Sequence, residues 1–110
     1  AYQVRPADRP TELSRYRYTF QVVRGRVAHG RASRGLSMIE LASSEVETAE
    51  ATPPASQIFR VVWRRKAATA LALQGPETFT GKSVLVRGWI DVFRGPEIEI
   101  TTAGQLEIED

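Results

Sequence analysis

Residues 81–101 alternate between apolar and polar side chains and are interrupted once, by Arg94-Gly95-Pro96. Because successive side chains of a β-strand point to opposite faces, the alternation predicts two strands whose apolar side chains share one core. The glycine in the interruption indicates a hairpin turn between them. Gly88 falls inside the first strand, in phase with its valines. A glycine there is typical of a sharply coiled strand in a small barrel.

The rest of the chain adds three predicted strands and one predicted helix. The strands cover residues 15–31, 36–42 and 58–65, where apolar residues recur at every second position. In the first of them the apolar phase changes between Val22 and Val23, which is typical of a β-bulge. Residues 66–74 are rich in Ala and Leu and are followed by Gly75-Pro76, so they predict a short helix that ends at the glycine.

Two segments lack such patterns. Residues 1–14 contain two prolines and no periodicity, so we expect a flexible N-terminal arm before a folded domain over residues 15–110. Residues 43–56 are acidic and contain a Pro-Pro pair, which predicts a mobile loop. The chain starts at Ala1 rather than Met, so we expect a piece of a longer protein. We favour a cytoplasmic location, with an exported parent protein as the alternative.

Composition narrows the classes of function. The chain has no cysteine and a single histidine, so thiolate metal sites and histidine clusters are excluded and no cofactor is expected. No apolar run approaches the roughly 20 residues that span a bilayer, so we expect no membrane partner. Thirteen of the fifteen basic residues are arginine, and they alternate in blocks with acidic segments. Arginine pairs with phosphate and stacks on bases, so this bias favours an anionic partner. Arginine usage in a GC-rich genome is an equally good explanation of the bias.

The element order β-β-β-α-β-β is that of the OB-fold, a five-stranded Greek-key barrel, and predicts an all-β domain with one short helix. GKSVLVRGWI (residues 81–90) followed by GPEIEI (residues 95–100) resembles the last hairpin of bacterial OB-fold nucleic-acid-binding domains and of OB domains associated with thermonucleases. FRVVW (residues 59–63) resembles the third strand of single-stranded DNA-binding proteins. The chain departs from those proteins at Arg64, where a base-stacking aromatic is expected, and in the acidic, proline-containing segment after the second strand.

This resemblance implies a ligand site across the second and third strands, between the first loop and the last hairpin. Arginines in such a groove neutralise phosphates, and an aromatic ring stacks on a base. We therefore predict that the domain binds single-stranded DNA or RNA weakly and with little sequence preference. The predicted binding residues are Arg31, Arg34, Arg60, Arg64, Phe93 and Arg94, with His29, Met38 and Lys66 as secondary candidates.

One alternative function remains open, a protein-interaction or structural accessory domain of a larger protein. An interaction module for other protein domains would show an apolar patch around Met38, Ile58 and Val62, with its arginines paired to glutamates. A nucleic-acid site would instead show a continuous groove lined by arginine. An enzyme is not expected, because the chain contains no nucleophile elbow and no phosphate-binding glycine loop. We expect Trp63 in the core and Trp89 packed under a loop or helix, with a surface role for Trp89 as the alternative.

Overall fold

The computed structural model describes residues 3–44 and 54–109. Its strands are β1 (Val4–Pro6), β2 (Phe20–Ser33), β3 (Leu36–Leu41), β4 (Phe59–Arg64), β5 (Ser83–Val92), β6 (Pro96–Glu99) and β7 (Leu106–Glu109). The helical elements are α1 (Pro10–Leu13) and the 3₁₀ turns Ser14–Tyr16, Ala55–Gln57, Arg65–Ala67 and Pro76–Phe79. No helix within the described ranges has the length and apolar character needed to cross a membrane.

Five strands close into a barrel with the order β2-β3-β4-β6-β5, and β5 returns to pair with β2. The pairs are antiparallel except β4 and β6, which run parallel. This arrangement is the OB-fold, and the predicted fold class is confirmed. The long strand β2 pairs with β5 through its first half and with β3 through its second half. A register shift lies between Val27 and His29, so the β-bulge comes five residues later than the sequence phase predicted.

The barrel interior is filled by the side chains that alternate inward along these strands. The largest of them are fully buried, among them Trp63, Phe59, Ile39, Leu41, Ile90 and Ile98. Gly88 packs directly against this core, since a Cβ there would lie 2.7 Å from Ile98 Cγ2. Gly25 is covered in the same way, since a Cβ there would lie 2.6 Å from the Cβ of Ala7. These neighbours can approach so closely only because Gly25 and Gly88 lack a side chain.

Residues 4–16 contain regular elements, whereas the composition of residues 1–14 predicted a flexible arm. Strand β1 pairs in parallel with β2, and α1 follows with Pro10 at its first position. Ala7 and Leu13 are only 1% and 2% exposed. A three-residue strand and a one-turn helix are too short to give a periodic signal, so the burial of two apolar side chains was not visible in the sequence.

The segment between β4 and β5 is not the continuous helix predicted over residues 66–74. It forms the 3₁₀ turn Arg65–Ala67, irregular turns, and the 3₁₀ turn Pro76–Phe79. Ala72 has a left-handed φ of 55°, which interrupts helical hydrogen bonding. Phe79 then packs edge-on against Trp63, with ring centroids 5.8 Å apart, and closes the barrel end. Most of the loop predicted over residues 43–56 lies outside the described residues.

Candidate nucleic-acid interface

The predicted site lies on the solvent-facing side of the second half of β2 and of β3, β4 and β6, called here the outer face. Alternation along β4 places Phe59, Val61 and Trp63 in the core, so Arg60, Val62 and Arg64 belong to the outer face. Four residues at about 3.3 Å per residue separate Arg60 from Arg64 by about 13 Å. The outer face therefore has an arginine at each end of β4.

Arg60 is held by neighbours within the protein. Its side chain is 12% exposed, and Nη2 donates hydrogen bonds to the Phe93 carbonyl at 2.6 Å and to Glu97 Oε1 at 3.1 Å. Its Nε is buried and has no hydrogen-bond partner among the described residues. Burial raises the pKa of Glu97, and the positive charge of Arg60 counteracts part of that rise. Arg60 is thus a structural cation that joins β4 to the last hairpin.

A row of charged residues extends across the barrel from Arg60. The strand register places His29, Glu40, Arg60 and Glu97 side by side on four neighbouring strands. His29 Nε2 contacts Glu40 Oε1, and Glu40 is only 8% exposed. In the next row Arg31 is exposed, Met38 is half-buried and Val62 is buried. The middle of the outer face is therefore a charge-paired surface with a small apolar centre rather than an arginine-lined groove.

Positive charge gathers instead at one end of the outer face, called here the basic end. Arg34, Arg64, Arg65 and Lys66 line an open depression of about 570 Å³ together with Gly35. The backbone N–H of Arg65 donates to the Gly35 carbonyl at 2.9 Å, which ties the β2–β3 turn to the end of β4. Arg64 is 67% exposed, and its Nε lies 4.0 Å from Glu99 Oε2. Within the described ranges Arg34, Arg65 and Lys66 form no ion pair.

The opposite end of the outer face carries an exposed aromatic ring. Phe93 is 64% exposed in the turn between β5 and β6, and its N–H donates to the Gly95 carbonyl at 3.0 Å. The Arg94 guanidinium lies 5.7 Å from the centre of the Phe93 ring. Arg94 has a φ of 65°, so the turn is tight and presents both side chains to solvent.

The structure thus divides the predicted binding residues into separate groups. Arg34, Arg64 and Lys66 meet at the basic end, Phe93 and Arg94 share the opposite turn, and Arg31, His29 and Met38 lie on β2 and β3 between them. The site predicted from the sequence did not include Arg65, which the structure places at the basic end. Trp89 was expected under a loop or helix, whereas it is 66% exposed. The sequence did contain a signal, since Trp89 falls out of phase with the buried Gly88 and Ile90.

No protein-family model matches this chain, and no curated protein matches it. Among solved structures it is similar to the Stn1–Ten1 complex of S. pombe, with 17% identity, a TM-score of 0.50, and coverage of 82% of this chain and 57% of that one. It is similar to the OBody AM1L10 bound to hen egg-white lysozyme, with 14% identity, a TM-score of 0.53, and coverage of 88% and 85%. An aspartyl-tRNA synthetase from Entamoeba histolytica gives 11% identity, a TM-score of 0.51, and coverage of 100% and 22%. At these identities the likeness shows the fold alone.

Proposed function

We propose that this OB-fold domain binds single-stranded nucleic acid, weakly and with little sequence preference. The observation that carries the proposal is the basic end, where four cationic side chains surround one open depression. In this proposal Arg34, Arg64 and Lys66 contact phosphates, and Phe93 stacks on a base at the far end of the outer face. The strand would cross the outer face between these two ends.

The physical chemistry of the two ends supports this division of roles. Guanidinium groups form paired hydrogen bonds to phosphate oxygens, and each neutralised phosphate releases counterions. An exposed aromatic ring stacks on any base, because every base presents a flat π-face. Phosphate and stacking contacts both ignore base identity, so we expect little sequence preference. The synthetase that this chain resembles acts on tRNA by its name, which supports a nucleic-acid ligand for the fold.

Fluorescence anisotropy of a labelled oligo-dT of about 16 nucleotides tests the proposal, since OB-folds contact about 4–16 nucleotides. We expect binding at about 50 mM salt. Three phosphate contacts on a single strand predict a roughly 20-fold weaker affinity at about 200 mM salt. Absence of binding at the lower salt concentration, or binding that does not respond to salt, would reject the proposal.

A protein partner is the second candidate, and the middle of the outer face favours it. Arg60 pairs with Glu97 and Arg64 approaches Glu99, around the half-buried Met38. This pairing of arginine with glutamate is the pattern expected of a protein-binding face. The OBody similar to this chain is bound to lysozyme, so the fold also supports protein recognition. The salt titration discriminates between the candidates. Oligonucleotide binding through phosphates weakens as the salt concentration rises, whereas a face whose charges are paired within the protein is not expected to bind an oligonucleotide.

A further inference from the structure

A second group of exposed aromatic residues lies outside the outer face. Tyr18 and Trp89 are 67% and 66% exposed. Trp89 is opposite Phe20 across β2 and β5, and the two rings meet edge-on with centroids 6.1 Å apart. The Tyr18 N–H donates to the Ile90 carbonyl at 2.7 Å, which fixes Tyr18 beside the same strand. Tyr18, Phe20 and Trp89 are called here the Trp89 platform.

The Trp89 platform and the aromatic turn of the proposed site lie along the same edge of β5. Trp89, Asp91 and Phe93 occupy every second position of β5 and the turn after it, and all three are exposed. Trp89 and Phe93 are therefore separated by about 13 Å of chain. Arg17 Nε lies 3.6 Å from Asp91 Oδ1, and the Arg17 guanidinium lies 4.7 Å from the centre of the Tyr18 ring. The negative charge between the two aromatic positions is thus offset by an arginine.

We propose that the Trp89 platform is a second stacking site, which takes bases of a single strand that passes Phe93 and continues along β5. This inference rests on the proposed function. An arginine accompanies both exposed positions, Arg17 at Tyr18 and Arg94 at Phe93. The Arg17 contact with Asp91 is 3.6 Å long and exposed, so a phosphate can compete with it. Stacking surfaces separated by charged groups suit successive bases of one strand. The centre of a protein interface is instead a contiguous, desolvated surface that excludes water.

The two tryptophans of the chain provide a direct test, because Trp63 is 1% exposed in the core. A change in intrinsic emission on addition of unlabelled oligo-dT therefore reports Trp89. We expect the emission to fall with the same concentration dependence as the anisotropy of the labelled oligonucleotide. Trp89→Ala should abolish this response and weaken binding about tenfold, the effect of one lost base stack. Trp89→Phe should abolish the response but retain most of the affinity, because a ring remains.

Ile108→Ala is the matched control, since Ile108 is also an exposed apolar side chain, 43% exposed, on β7. It should leave both the affinity and the emission response unchanged. Oligonucleotide binding with constant Trp89 emission and full affinity in Trp89→Ala would overturn the second site and leave the proposed function intact. Absence of oligonucleotide binding in the anisotropy experiment would overturn the proposed function itself. A protein contact at this platform would appear as self-association without oligonucleotide that Trp89→Ala removes, and it too would overturn the inference.

Discussion

Arg60 and Arg64 lie on the same face of β4, yet one is buried in a hydrogen-bond network and the other is exposed to solvent. The Arg60 side chain is 12% exposed and the Arg64 side chain 67% exposed. The difference comes from the neighbouring strands, since the register places Arg60 between Glu40 and Glu97 but places Leu36 opposite Arg64. Residue type and strand phase therefore do not decide whether an arginine can bind a ligand. The side chains across the strand decide it.

The outer face is not one continuous groove, because Arg60 is held by neighbours within the protein whereas Arg64 is exposed to solvent. A phosphate that approached Arg60 would have to compete with the Phe93 carbonyl and Glu97, which already accept hydrogen bonds from Arg60. It would also lie close to the negative charge of Glu97. Among the described residues such competition is weak at the basic end, because the Arg64 contact with Glu99 is 4.0 Å long and exposed, where an ion pair contributes little. The two ends of β4 should therefore respond in opposite ways to substitution.

The largest expected effect comes from reversing charge at the basic end. Combining Arg34→Glu, Arg64→Glu and Lys66→Glu changes three attractive phosphate contacts into repulsive ones. We expect the affinity for labelled oligo-dT at about 50 mM salt to fall at least about 100-fold. The three side chains are exposed, so the midpoint of urea unfolding should change little.

Charge reversal elsewhere on the chain provides the control for this variant. Arg9→Glu, Arg15→Glu and Arg26→Glu make the same change in net charge at exposed positions outside the basic end. They should weaken binding far less, through long-range electrostatics alone. Equal losses in the two triple variants would show that net charge, and not the basic end, governs binding.

Arg60→Met tests the structural role of the other arginine. The substitution leaves the half-buried Glu97 carboxylate without its cationic partner and removes the hydrogen bond to the Phe93 carbonyl. We expect the free energy of unfolding, measured in urea, to fall by about 1–3 kcal/mol. Because Arg60 contacts no phosphate in the proposed site, the folded variant should keep the salt dependence of its oligo-dT binding. Weaker oligonucleotide binding without loss of stability would contradict the contrast between the two arginines.

Arg64→Met is the matched substitution at the exposed end, and its effect should appear in the salt dependence. Losing one phosphate contact on a single strand should lower the slope of log affinity against log salt by about 0.7. Stability should stay within about 0.5 kcal/mol of the unaltered protein. Arg60→Met should leave the slope unchanged, and an equal change in both variants would contradict the division between the ends.

The barrel could be predicted from the sequence because the patterns that define its strands are local. Alternation along β5 and the glycine at position 88 reflect contacts that every strand of a small barrel must make. The same periodicity identified Arg60 and Arg64 as outward residues of β4. The helix over residues 66–74 was wrong because Ala and Leu favour a helix in isolation, while closing the barrel end requires the chain to turn at Ala72.

The candidate site was less predictable because it depends on pairings between distant segments. Arg60 and Glu97 meet through the parallel pairing of β4 with β6, and no periodicity within either strand indicates which residues face each other. Arg65 joins the basic end through a backbone hydrogen bond to Gly35 in another hairpin. The sequence therefore indicated residues of the right type, but only the strand register shows which of them lie at each end of the outer face.

The smallest effect concerns pH and tests whether Glu97 is as desolvated as the contrast requires. Burial raises the pKa of Glu97 above its ordinary value of 4.5, so the folded state binds a proton more tightly than the unfolded state. Between 4.5 and the raised value, unfolding therefore releases a proton, and stability falls as pH rises through this window. Glu97→Gln should remove this decline in urea unfolding measured from about pH 3 to about pH 7.

Glu109 provides the comparison of opposite sign. Its hydrogen bond from Arg24 lowers the pKa of Glu109, so its contribution to stability is present above 4.5 and is lost as pH falls through the lowered value. Glu109→Gln should therefore alter the acidic side of the profile, whereas Glu97→Gln alters the side above 4.5. If Glu97→Gln left the profile unchanged, the effect of burial on the pKa of Glu97 would be no larger than the opposing effect of Arg60, and Glu97 would be less desolvated than the contrast between the two ends of β4 requires.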